Sequence, residues 1–346
     1  MSEENKRSIR ISVRNLVEFV LRSGDIDNRR SGNAQKDAML AGGRIHRKIQ
    51  KRMGSGYRAE VPLKHEVQDE EQEITLLVEG RADGIFTENG ITVIDEIKGM
   101  YTDVARLEAP IEVHLAQAMC YGYFYCCDKD LDGIRLQLTY CNLETEEIRR
   151  FQEIQTMNEL SEWFAGLIHE YVKWARYLYH NGLRRDESIK ALEFPYPYRA
   201  GQRELAVAVY RTLERGRRLF VQAPTGIGKT LSTVFPALKA IGEGHGQKLF
   251  YLTAKTITRT VAEEALAILR ERGLYFRSVT ITAKEKLCIL EKPVCNPEMC
   301  PRAKGHFDRV NDAVYEILHQ EFGITRSVIL EYAEKFQVCP FEFCLD

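Results

Sequence analysis

Long apolar runs are missing from this 346-residue chain, and no stretch approaches the roughly 20 residues that a membrane-spanning helix needs. The amino terminus, Met1 to Arg10, is charged and lacks the apolar core of a secretion signal, so a soluble, cytoplasmic protein is expected. An excess of either charge is missing too. Forty-nine basic residues against 50 acidic ones argue neither for nor against nucleic acid, and any surface for such a partner must be local. No internal repeat or low-complexity tract interrupts the chain. Among its nine cysteines there are no paired Cys-x-x-Cys knuckles. Without a secretion signal the cysteines read as reduced thiols or metal ligands rather than disulfides, and five of them crowd between positions 288 and 344.

What is present begins with Ala223-Pro224-Thr225-Gly226-Ile227-Gly228-Lys229-Thr230, placed after the apolar Leu219-Phe220-Val221 and before the helix-compatible stretch 231–240. This fits the [A/G]-x-x-x-x-G-K-[S/T] phosphate loop, with Ala223 in place of the first glycine. Gly226 and Gly228 let backbone N–H groups turn onto the β-phosphate of ATP, Lys229 adds a point charge, and Thr230 offers a hydroxyl to Mg²⁺. A Gly-rich turn without ligand is the bland alternative, and the strand-loop-helix setting argues against it. Upstream, Tyr196-Pro197-Tyr198-Arg199-Ala200-Gly201-Gln202 combines aromatic rings with Arg199 and Gln202, groups suited to gripping adenine. Downstream, Leu252-Thr253-Ala254-Lys255-Thr256 ends a predicted strand and opens a helix, a place for a DNA phosphate.

Helical spacing of aromatic and aliphatic residues over 159–180, stopped by Asn181-Gly182, places a domain boundary near residue 190. The expected domains are 1–181, a linker at 182–194, an ATP-binding lobe at 195–287 and a cysteine-rich insert at 288–346. The carboxy-terminal part reads as helix 201–215, strand 218–222, helix 229–242, strand 248–253, helix 257–271 and strand 277–282, an order that predicts an α/β fold with a parallel, doubly wound sheet. In the amino-terminal part, helices 12–22 and 35–53 precede strands 58–67, 74–86 and 91–98, a helix 110–127 and a strand 133–142. That order predicts α+β or α/β with a central mixed sheet.

Asn89-Gly90 between two strand-like runs is a two-residue hairpin signal. With those residues as the loop, Glu88 pairs with Ile91 and Asp83 lies across from Glu96, two carboxylates face to face. Opposed like charges weaken a sheet unless a divalent cation sits between them. Lys98 falls on the same face. A three-residue loop with a bulge at Gly90 would instead slide Asp83 toward Asp95. A hard cation on two carboxylates beside a lysine is equipment for phosphodiester hydrolysis, whereas a surface hairpin with solvated acids is the plain alternative. His114, Gln117 and Tyr121 share one helical face, and His46 sits on another helix.

His46, Gly80-Arg81-Ala82-Asp83-Gly84, Asp95-Glu96-Ile97-Lys98 and Gln117-Ala118-Met119-Cys120-Tyr121 together resemble, in order and spacing, the RecB-like PD-(D/E)xK nucleases over roughly residues 10–180. The resemblance implies a restriction-endonuclease-like domain in which Asp83 and Glu96 bind Mg²⁺ or Mn²⁺, His46 is a further ligand, Lys98 is catalytic, and Gln117 and Tyr121 contact DNA or brace the site. Cys120, Cys126, Cys127 and Cys141 lie off the cluster-binding pattern of some relatives and read as buried thiols.

Cys288-x6-Cys295-x4-Cys300-x38-Cys339 can hold a 4Fe–4S cluster or a tetrahedral Zn²⁺, or remain unligated core thiols. The irregular spacing, with Cys-Pro after the third and fourth positions, favours the cluster, and Cys344 is a spare. Gln202, the phosphate loop, Leu252 to Thr256 and this cysteine set resemble the XPD/DinG group of superfamily 2 DNA helicases over residues 194–346. That resemblance implies 5′ to 3′ movement on single strands driven by ATP. No Asp-Glu-Ala-His follows and no second RecA-like lobe, so slow ATP hydrolysis is expected and the chain reads as a truncated nuclease–helicase. The expected function is DNA processing in repair or defence, with single-stranded or tailed DNA as partner. The alternative is a non-catalytic fragment that binds DNA or nucleotide.

Overall fold

A computed structural model describes residues 8–30, 34–69, 74–224, 226–253 and 256–346. Two compact units divide the chain, one made of residues 1–177 and 292–311, the other of 178–291 and 312–346. Thr225, Ala254 and Lys255 of the nucleotide and phosphate motifs lie outside the described residues.

The first unit is built on a six-stranded mixed sheet. Its strands are β1 (Ser8–Ser12), β2 (Arg58–Gln68), β3 (Thr75–Glu88), β4 (Ile91–Met100), β5 (Gly133–Asn142) and β6 (Ile148–Thr156), in the order β1-β3-β4-β5-β6 with β2 paired to β3. β1 runs parallel to β3 and β4 parallel to β5, while the other pairs are antiparallel. β2 pairs only with β3, and that edge position tolerates Pro62. Helices α1 (Val13–Val20), α2 (Ala34–Arg52), α3 (Glu112–Lys129) and, up to Tyr177, α4 (Met157–Ala191) complete the layers. The buried Ile134, Leu136, Leu138 and Tyr140 alternate along β5, the period-2 pattern of a strand facing a core. On α2, Ile45 and Ile49 pack against Ile97 and Cys141. The sequence pattern predicts neither β1 nor β6; β1 is short, and β6 alternates half-buried with exposed, mostly polar residues.

The hairpin forms as the Asn89-Gly90 signal predicts. Both residues have positive φ (53° and 78°), which a type I′ turn demands and which Gly and Asn tolerate best. Glu88 pairs with Ile91 and the ladder continues to Gly84 opposite Asp95. There it stops. β3 pairs with β1 only through Thr75–Glu79 and with β4 only through Gly84–Glu88. Gly80 to Asp83 therefore lie between the two ladders, paired to β2 at Gly80, Arg81 and Ala82.

In the second unit, α5 (Gln202–Glu214), α6 (Lys229–Gly242) and α7 (Thr256–Glu271) form where the sequence predicts them. Ile189, Leu192, Val234, Leu238, Ile241, Leu269 and Leu274 make a buried cluster. Three expectations are corrected. The segment 182–191 is not a linker, because α4 runs through Asn181-Gly182 to Ala191 and buries Ile189 in that cluster, which outweighs the cost of a mid-helix glycine. The stretches 218–222 and 248–253 have no regular secondary structure. Phe220 is 94% and Leu252 89% exposed, whereas parallel strands persist when both faces are covered. Parallel pairing among the described residues of this unit is confined to β7 (Ser278–Val279) and β8 (Gly323–Ile324). Cys127 is exposed rather than buried, while Cys120, Cys126 and Cys141 are buried.

Candidate active site and nucleotide-binding loop

The break between the two β3 ladders shapes the carboxylate site. Where the hairpin ladder would continue, the Ile97 N–H donates to Asp83 Oδ2 at 2.8 Å, so the side chain takes the place of a strand partner and is pinned beside β4. Asp83 Oδ1 lies 3.3 Å from His46 Nδ1, and Gln50, one turn along α2 from His46, donates to the Asp83 carbonyl at 2.9 Å. On β4, Glu96 is 4% exposed. Lys98 Nζ reaches Glu96 Oε1 at 2.7 Å and donates to Gln117 Oε1 on α3, also at 2.7 Å. Tyr121, one turn further along α3, packs its ring against Gly80, where a Cβ would stand 2.7 Å from the hydroxyl. His46, Asp83, Glu96, Lys98, Gln117 and Tyr121, dispersed over 76 positions of sequence, thus gather around the break between the two β3 ladders.

Electrostatics at this site follow from burial. Desolvation pushes the Glu96 carboxyl up to about 7, with Lys98 pulling it down and Asp83 pushing it further up. Burial works against the His46 imidazolium, but the hydrogen bond and charge of Asp83 and the charge of Glu96 outweigh it and raise its pKa. Burial also raises the Tyr121 hydroxyl. Burial holds His114 down at about 4, with Lys98 and Arg14 adding to the effect; its Nδ1 sits 3.2 Å from Tyr140 Oη, so it stands as a neutral partner of that tyrosine.

One atom is left over. Among the described residues, Glu96 Oε2 is buried without a hydrogen-bond partner, and an orphaned buried carboxylate oxygen asks for a proton or a cation. No group of three or more His, Cys, Asp or Glu among the described residues is arranged to hold a metal ion, His46 being engaged with Asp83. The donors that fit a hard cation are accordingly the two carboxylates, with Glu96 Oε2 the open position.

A second acid of the hairpin, Asp95, is buried as well, which the sequence does not predict. Asp95, 0% exposed, accepts from Tyr57 Oη (2.9 Å), Gln137 Nε2 (3.0 Å) and Thr139 Oγ1 (2.6 Å). Burial raises its pKa and these three donors oppose the rise. The signal available in the sequence was Gly84, since a Cβ there would lie 1.9 Å from the Tyr57 ring.

Around the phosphate loop, Gly228 has φ 81° and caps α6, which begins at Lys229. Gly226 also has a positive φ (84°), as a loop that turns its N–H groups inward requires. Gln202 is buried, its Oε1 accepts from the Arg199 N–H at 3.0 Å, and its amide nitrogen lies 2.4 Å from where a Gly228 Cβ would be. Arg199 donates to the Gly226 carbonyl at 2.5 Å, and Ile227 packs on Gly201. Lys229 Nζ folds onto the carbonyls of Ala223 (3.1 Å) and Pro224 (2.7 Å). Thr230 sits in the first turn of α6, its carbonyl accepting from Thr233. Phe194 and Tyr198 stack at 4.2 Å beside this group.

The cysteine set divides. Cys295 and Cys300 belong to the first unit and Cys288 and Cys339 to the second, and among the described residues none of the four is joined in a disulfide.

Comparison with known proteins bears on the second half of the chain. A family model described as DEAD/DEAH box helicase matches residues 202–299, from Gln202 through the phosphate loop to Met299. Over 47 residues the chain is 45% identical to the probable ATP-dependent helicase MJ0942 of Methanocaldococcus jannaschii, covering 13% of this chain and 7% of that protein. The chain thus spans only a small part of that relative's length. A solved structure, titled crystal structure of SSO0001, is similar at TM-score 0.33 and 17% identity over 50% of this chain and 78% of that one. No helix among the described residues is long and apolar enough to cross a membrane. Residues 202–299 thus carry a superfamily 2 helicase region similar to the DEAD/DEAH type.

Proposed function

We propose that this chain processes DNA, its first unit as a metal-dependent phosphodiesterase and its helicase region as an ATP-binding element of the XPD/DinG type. The observation that carries the nuclease half is the buried, partnerless Glu96 Oε2 beside Asp83 and the Lys98 ammonium. Asp83 and Glu96 would hold Mg²⁺ or Mn²⁺, which when bound lowers the pKa of a water and stabilises charge on the scissile phosphate. Lys98, fixed between Glu96 and Gln117, offsets charge developing on the phosphate. His46 and the Ile97 N–H hold Asp83 at its angle, and Tyr121 braces the Gly80 backbone from α3. In the second unit, the loop N–H groups around Gly226 and Gly228 and the Lys229 ammonium would receive the ATP phosphates, with Arg199, Gln202 and the exposed Tyr196 near the base. Single-stranded or tailed DNA is the substrate in this reading. A 4Fe–4S cluster on Cys288, Cys295, Cys300 and Cys339 rests on their spacing alone; iron analysis and absorbance of anaerobically purified protein test it, and colourless, iron-free protein removes it.

The test of the nuclease is incubation of labelled single-stranded DNA with the full chain and Mn²⁺, with and without chelator. Cleavage is expected only with the metal, and Lys98→Ala is expected to lower the rate by roughly 100-fold or more, the scale of a lost electrostatic stabiliser. Cleavage at the parent rate in that variant would overturn the assignment.

A further inference from the structure

Residues 292–311 lie, by sequence, inside the helicase half, between two stretches of the second unit, yet they belong to the first unit. Their partner there is the loop that follows α1. Main-chain bonds run from Ile26 N–H to the Ala303 carbonyl (3.0 Å), from Asn28 N–H to the Cys295 carbonyl (2.9 Å) and from Phe307 N–H to the Gly24 carbonyl (3.0 Å). Side chains reinforce them in both directions. Asp308 accepts from Gly24 N–H at 2.7 Å and Asp25 accepts from Gly305 N–H at 2.6 Å. Asn311 accepts from Arg22 at 2.6 Å while its amide donates to the Phe19 carbonyl at 2.9 Å. Ile26 and Ala303 are buried at 5% and 2% exposure, so the bond between them is shielded from water and matters more than a surface bond would.

The same loop is tied to the carboxylate site. Phe19, at the end of α1, sets its ring edge-on against Trp174 (4.9 Å) and Tyr171 (6.0 Å) of α4. α1 packs on α3, the helix that presents Gln117 to Lys98 and Tyr121 to Gly80. A loop of about ten residues without regular core of its own keeps one conformation only when something pins it, and the pin here is contributed from nearly 280 residues downstream.

We infer that residues 292–311 are a coupling element: they complete the unit bearing Asp83 and Glu96, fix the 21–29 loop, and through α1 and α3 set the order of the Lys98–Gln117 contact. The carboxylate domain is then not a separable module ending near residue 181. Any event that loosens the 292–311 segment, whether nucleic-acid engagement or chemistry at Cys295 and Cys300, is felt at the hydrolytic site.

Hydrogen exchange on the full chain tests this without reference to cleavage, so its failure is distinct from failure of the nuclease reading. In an Asp308→Ala/Asn311→Ala variant, which removes the bonds to Gly24, Arg22 and Phe19, exchange at amides 22–29 is expected to speed up by roughly tenfold or more, a scale that lost hydrogen bonds of ordinary strength reach. Faster exchange is also expected across α1 and α3, with α5 unchanged as an internal control. Asp25→Ala, which removes only the Gly305 bond, should give a smaller change of the same pattern, and it keeps the test informative if the double variant fails to fold. Exchange at 22–29 as slow as in the parent, or acceleration confined to 22–29 with α3 untouched, would overturn the proposal.

Discussion

At the scale of single residues, Glu96 links burial to pH. A glutamate in the unfolded chain titrates near 4.5, whereas in the fold it is raised to about 7 by desolvation. Below the lower value both states carry the proton. Between the two, the unfolded chain releases it while the folded chain keeps it, so stability falls as pH rises through that window, by about 1.4 kcal/mol per pH unit at most. His46, raised in the fold, acts in the same direction, since its contribution is present at low pH and lost as pH rises through its folded pKa. In chelator, Glu96→Gln should therefore flatten the decline in melting temperature that the parent shows between pH 5 and 7.5. Parallel curves for the two proteins would contradict the buried-acid account. Gly84 gives a steric counterpart. The Tyr57 ring occupies the space of a Gly84 side chain at 1.9 Å, so Gly84→Ala must push the ring and its bond to Asp95 aside. A loss of about 2–3 kcal/mol is expected, measured by urea unfolding.

Among elements, the β3–β4 hairpin was the most legible from sequence. Asn89-Gly90 sets the turn, the turn sets the pairing of Glu88 with Ile91, and the structure keeps that register down to Gly84 and Asp95. Less legible was that the ladder ends there. Pair spacing continues a ladder indefinitely, whereas the split pairing of β3 is set by where β1 docks, a contact between residues 8–12 and 75–79. Similarly, Asp95 reads as one more acid in an acidic run, yet the register with β5 places it opposite Gln137, where a buried network receives it. Asp95→Asn would present an amide to donors that need a carboxylate. A loss of about 1–3 kcal/mol is expected in urea melts, with Mn²⁺-dependent cleavage retained in proportion to the folded fraction. The helix α4 shows the opposite error: Asn181-Gly182 is a sound stop signal locally, and burial of Ile189 overrode it.

For the whole molecule, two compact units with separate ligand chemistries predict unfolding that is not two-state. ATP analogue should raise the transition of the second unit, by about 2.7 kcal/mol of apparent stability at 100 times its dissociation constant, and Mn²⁺ without nucleotide should raise the other. Lys229→Ala should cancel the first effect alone. A single transition shifted equally by both ligands would show the units to be energetically one. The sequence by itself determined the phosphate loop with its flanking Gln202, the hairpin turn, and the residue types at the carboxylate site, because glycine conformations, turn chemistry and charge spacing are local properties of the chain. Only the tertiary structure decided that Lys98 is shared between Glu96 and Gln117, that Asp83 fills a gap in the sheet, that Asp95 is buried apart from the site, and that residues 292–311 belong with residues 1–177. Each of those depends on contacts between positions far apart in the chain, whose free energy is fixed by burial and register and leaves no periodic trace in sequence.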